Sequence, residues 1–176
     1  MEILAYVLSF SGMVSSITAS LIKGKKMGLV LFFVLLGNFL VATSYVVSVI
    51  NGNAGAVSGA ISCYIGALQA GINGVLAIKN KEIPKWLIGV YAIMFIAANL
   101  MGGFSYLTIL AIIACLTFIM SLIQKNGAGY RVWAIANLSL WVLFDLLSKS
   151  EALVTHIVLF AFTVTGMIIH DRKKVK

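Results

Sequence analysis

The sequence predicts an all-α membrane protein that crosses the bilayer as seven helices, and three observations carry that prediction. The 176 residues are 61% hydrophobic and only 10% charged, whereas a soluble domain carries roughly a quarter of its residues as charges. Long apolar runs alternate with short clusters of turn-forming or basic residues. Lys and Arg gather in every second one of those clusters. A helix needs about 20 apolar residues to cross hydrocarbon, so seven spans occupy roughly 140 residues and leave only short connections.

The first run, residues 3–22, stops at Lys23-Gly24-Lys25-Lys26. It is read as a span rather than a signal peptide, because the chain opens Met1-Glu2 and the positive charges follow the apolar run instead of preceding it. The second, 27–50, ends at the turn signal Asn51-Gly52-Asn53. The third, 54–78, stops at Lys79-Asn80-Lys81-Glu82. Pro84, the only proline, suits the start of a fourth helix over 86–101, where a missing N–H does no harm. Gly102-Gly103 precedes a fifth helix over 105–123, and Lys125-Asn126-Gly127-Ala128-Gly129 leads to a sixth over 131–148. Lys149-Ser150-Glu151 separates that from a seventh over 152–169, and the chain closes on Arg172, Lys173, Lys174 and Lys176.

Charge tests the helix count independently. When the connections are placed alternately on two sides, every Lys and Arg except Lys149 falls on one of them. The positive-inside rule then expects the N-terminus outside and the C-terminus in the cytoplasm. Without the fourth helix the later clusters would change sides and the alternation would fail. The net charge of +8 is accordingly read as topology-setting charge beside an anionic leaflet, not as a nucleic-acid surface.

The clusters divide the chain into a first three-helix bundle (1–78), a linker-helix region (79–103), a second three-helix bundle (104–170) and a basic tail (171–176). One intervening helix gives the two triplets the same orientation, a parallel repeat. Ser20-Leu21-Ile22 at the end of the first helix echoes Ser121-Leu122-Ile123 at the end of the fifth, and Asn38 and Asn137 fall at nearly the same offset.

No HExxH, no GxSxG, no phosphate-binding glycine loop and no carboxylate pair inside a span is visible, so no enzyme activity, catalytic residue or cofactor is expected. Cys63 and Cys115 lack metal-ligand spacing and read as packing residues, so no metal is expected either. The candidate chemistry lies in polar groups at membrane depth, each of which must find a partner there. Ser62, Gly66, Gln69 and Asn73 share one face of the third helix. That stripe reads either as the lining of a solute pathway or as interhelical hydrogen bonding. Asn38, and Asn137 with Trp141 one turn on, could bind and stack a sugar or heterocycle, or simply pack. His156 and Thr163 lie seven apart on the seventh helix. His156 can titrate near neutral pH and couple transport to protons, or serve as a donor near the headgroups. Asp145 sits in a last helical turn, where the macrodipole disfavours an anion. It reads as a partner for Lys149, or as a gate or coupling residue. Gly55 and Gly59 allow close helix approach and would let the third helix pack innermost. Trp86, Tyr106, Tyr130 and Trp133 are expected at the interfaces.

Gly12–Lys26, Asn38–Gly74 and the stretch from Arg131 through Trp141 to Gly166 resemble the YgjV-type bacterial inner-membrane family. That family is itself similar to the SWEET and PQ-loop transporters, including those of the nicotinamide riboside type. The resemblance implies a SWEET-like 3+1+3 architecture around a central pathway, with alternating access by rocking. The chain departs from that group in lacking the Pro-Gln pair and the helix prolines, so rocking would fall to glycines such as Gly12, Gly37, Gly59 or Gly66. The resulting expectation is a facilitator of a small polar solute, such as a sugar or vitamin-like metabolite. Asn38, Gln69, Asn73, Asn137, Trp141, His156 and Thr163 would bind it, with membrane lipid as the other partner and homo-oligomers compatible. The alternative is a non-transporting sensor or assembly partner whose polar residues serve helix packing.

Overall fold

The computed structural model describes residues 2–23, 26–52, 56–101, 103–148 and 153–171. These form seven α-helices: α1 (Glu2–Leu21), α2 (Met27–Ile50), α3 (Ala56–Ile78), α4 (Lys85–Leu100), α5 (Tyr106–Leu122), α6 (Gly127–Ser148) and α7 (Leu153–Asp171). No strand occurs among the described residues. Five helices are long and apolar enough to cross a membrane: α1, α2, α3, α6 and α7. The other two, α4 and α5, are apolar but have only 16 and 17 residues. At 1.5 Å per residue they reach about 24–26 Å, short of a hydrocarbon core of about 30 Å. Both flank Gly103, whose φ of +94° helps end the apolar run there.

The breaks follow local chemistry. Beyond α2, Gly52 takes φ +97° and turns the chain. Beyond α3, Asn80 adopts the left-handed conformation at φ 52°. Its N–H bonds Ala77 O and the Lys81 N–H bonds Leu76 O, so two terminal carbonyls are capped by a Schellman motif. Pro84 stands at the N-cap of α4, and Ser105 caps α5 by accepting the Thr108 N–H at 3.1 Å.

Each helix packs on its neighbours in the chain, α1 also packs on α7, and α3 touches α5 directly, which closes a ring. Within the first triplet it is α2, not α3, that lies between its two partners. Glycine explains how closely α1 and α2 cross. A Cβ on Gly12 would stand 2.8 Å from Gly37 O, and one on Gly37 would stand 2.5 Å from Ser16 Oγ. Gly59 faces the Tyr45 ring of α2, whereas Gly55, its companion in the small-residue pair, lies outside the described residues.

Ion pairs show which connections share an end. Lys125 Nζ meets Glu82 Oε1 at 2.6 Å, joining the α5–α6 and α3–α4 connections. Arg131 joins the start of α6 to the ends of α7 and α1. The α1–α2, α3–α4 and α5–α6 connections and the end of α7 therefore lie together, as the charge alternation requires; we call this the basic end. Lys25 and the tail 172–176 lie outside the described residues.

Two apolar cores result. One joins Ala19, Val30, Leu31, Ala70, Leu122 and Ala134, and so brings helices of both triplets together near the basic end. The other packs Tyr91, Phe95 and Leu87 of α4 against Ile65, Cys115 and Ile119.

Candidate functional site

The polar residues of the interior fall into four groups. On α3, Asn73 is fully buried, donates to Leu122 O of α5 at 3.2 Å and accepts the Tyr91 hydroxyl of α4 at 3.2 Å. One turn earlier Gln69 is also fully buried, yet neither Nε2 nor Oε1 has a hydrogen-bond partner among the described residues. One turn earlier again, Gly66 leaves room for the Asn38 Oδ1 of α2 and the Phe118 ring of α5. Asn38 Nδ2 bonds back to Val34 O of its own helix. Ser62, the outermost member of this face, is half-buried.

On α6, Asn137 is buried and donates to Ala114 O of α5 at 2.7 Å. Trp141, one turn on, stacks on the His156 imidazole with centroids 5.7 Å apart and planes 14° off parallel. His156 Nδ1 lies 2.6 Å from Asp145 Oδ2, so α6 and α7 are joined at the end opposite the basic one. Asp145 is almost wholly buried. Lys149, its sequence-predicted partner, lies outside the described residues.

On α7, Thr163 is buried and lies 2.9 Å from Ser20 Oγ of α1. Thr163 thus faces α1 while His156 faces α6, and the two are not brought to one site despite their helical spacing. Of the seven predicted binding residues, Trp141 and His156 come together, while Asn73, Asn137 and Thr163 each engage a neighbouring helix.

Sequence reasoning missed the largest polar node. Arg131, counted only as a topology-setting charge, is completely buried. Its Nε and Nη2 grip Asp171 at 2.7 and 2.6 Å, and Nη1 donates to Ile22 O at 2.8 Å and Ser20 O at 3.3 Å. His170 Nε2 donates to Leu21 O at 2.8 Å. The available signal was Asp171: an arginine at the start of one helix and a carboxylate at the end of the next antiparallel helix occupy the same level.

The two matching tripeptides each supply an accepting carbonyl. Leu21 and Leu122 hold equivalent places in Ser20-Leu21-Ile22 and Ser121-Leu122-Ile123. Leu21 O accepts from His170 on α7, the last helix of the second triplet, and Leu122 O accepts from Asn73 on α3, the last helix of the first. Each triplet therefore bonds the terminal carbonyl of the other's first helix.

Trp86 and Tyr106 are exposed near helix ends, as interfacial aromatics are, whereas Tyr130 is buried in the first core. No group of three or more His, Cys, Asp or Glu side chains able to hold a metal occurs among the described residues. No protein-family model, no curated protein and no solved structure matches the chain.

Proposed function

We propose that this multi-pass membrane protein is a facilitator for a small, neutral polar solute. Its two same-orientation triplets would rock about a site beside Gln69, with the basic end in the cytoplasm. The reciprocal bonding at Leu21 and Leu122 supports the 3+1+3 reading, and so does the resemblance to the YgjV-type family. The observation that carries a solute site is Gln69 itself. A primary amide taken out of water without a hydrogen bond costs about 1–3 kcal/mol on protein mutational scales. Gln69 presents both a donor and an acceptor in that condition, in the middle third of α3. A solute carrying adjacent donor and acceptor groups, such as a sugar or a vitamin-like heterocycle, would satisfy both.

Thermal unfolding in detergent with a panel of sugars and vitamin-like heterocycles tests this. Gln69→Leu should raise the melting temperature without solute, because it removes an unpaired amide. It should also abolish the stabilisation given by any panel member that stabilises the wild-type chain. A Gln69→Leu protein that melts lower and keeps its response to solute would overturn the assignment.

The engagement of Asn73 and Asn137 on α5 carbonyls favours a second reading, in which these amides serve packing and the protein is a sensor or assembly partner. That reading predicts no stabilisation by any member of the panel.

A further inference from the structure

The helices α6 and α7 are joined at both ends by ionisable pairs. Arg131 and Asp145 lie fourteen residues apart on α6, about 21 Å at the helical rise, and they meet Asp171 and His156 of α7 respectively. A hairpin held at both ends moves as one body. At the basic end this body docks on the last turn of α1, whose carbonyls have no partners within their own helix. Arg131 takes Ser20 O and Ile22 O, His170 takes Leu21 O, and Thr163 meets the Ser20 hydroxyl. The backbones touch as well: a Cβ on Gly166 would collide with Ser20 O. Farther along the same α1–α7 seam, toward the other end, lies a cleft of about 180 Å³ lined by Tyr6, Ser9, Phe10, Met13 and Thr155.

We propose that the contacts of Arg131 and His170 with α1 form a reversible lock that closes the seam between the triplets at the basic end. The division of labour within the guanidinium is what makes it reversible. Nε and Nη2 hold Asp171 two-pronged, a geometry only the planar arginine fork provides, and Nη1 alone reaches α1. When the α6–α7 body leaves α1, the ion pair travels with it. No buried charge loses its partner, which would be the costly event. Bonds to carbonyls at a helix end and the Thr163–Ser20 hydroxyl bond are exchanged, and water can replace them.

The test needs no solute, so its failure would leave the Gln69 reading standing. In a background carrying Cys63→Ser and Cys115→Ser, Thr163→Cys reports opening of the seam through its rate of reaction with a membrane-impermeant maleimide. Arg131→Lys keeps a cation for Asp171 and gives up the fork; His170→Ala removes one bond to Leu21 O. Each should raise the labelling rate, Arg131→Lys by about tenfold, the scale of a lost hydrogen bond to a charged group, with melting temperature nearly kept for His170→Ala. Unchanged rates in folded protein overturn the proposal. So does labelling that rises only in step with global unfolding, which would make the contacts purely structural.

Discussion

Asp145 Oδ2 lies 2.6 Å from His156 Nδ1, and the same imidazole stacks on Trp141. A last-turn carboxylate on α6 is thereby tied to the early turns of α7, although the two residues stand on opposite sides of a connection. The contact is specific because the imidazole is held from two directions, by a carboxylate and by an indole face. His156→Ala removes both contacts at once. We expect a loss of about 1–3 kcal/mol, the cost of leaving a buried acceptor without one donor. A shifted Trp141 emission in a Trp86→Phe, Trp133→Phe background should accompany it. Unchanged emission together with unchanged melting would show that the stack does not exist in the membrane protein.

Asn73 joins three helices through one side chain, so its partners should be coupled. Interhelical hydrogen bonds in membrane proteins average about 0.6 kcal/mol and reach about 1.7. Asn73→Ala forfeits the bond to Leu122 O and the bond from Tyr91, and is expected to cost about 1–2 kcal/mol on that scale. Tyr91→Phe should cost less, and in the double variant the two effects should fall short of additive. Full additivity in a double-mutant cycle would deny the Asn73–Tyr91 bond.

These residues also mark what the sequence could and could not reveal. Apolar length and basic clusters place all seven helices to within four residues, because hydropathy and breakers act locally. The widest miss is the start of α6, which begins at Gly127 rather than 131: glycine and alanine there looked like turn, yet the run is helical. The polar face of α3 was legible for the same reason, since helical spacing is periodic. Partners were not. Nothing local says that Asn73 meets α5 while Thr163 meets α1, because those pairs depend on which helices adjoin. Nor does spacing say that α2 lies between α1 and α3. That follows from the mutual approach of Gly12 of α1 and Gly37 of α2 together with the packing of Gly59 of α3 on Tyr45 of α2. Arg131 escaped because charge at a helix end is ordinarily solvated, and only the ring closure of α7 onto α1 buries it.

The tie between Glu82 and Lys125 gives a pH dependence with a definite sign. Both side chains are well exposed. The Lys125 ammonium, by hydrogen bond first and by charge second, holds the Glu82 carboxyl below its ordinary value of 4.5. A group whose folded value is depressed binds fewer protons folded than unfolded. Its contribution is therefore present above about 4.5 and fades as pH falls through the lowered value. Glu82→Gln should then match the wild-type chain at the acid end of a melting series and fall slightly below it at neutral pH. The gap should shrink in high salt, because exposed pairs are screened. A gap that widens toward acid pH would reverse the sign and rule out this contact as its source.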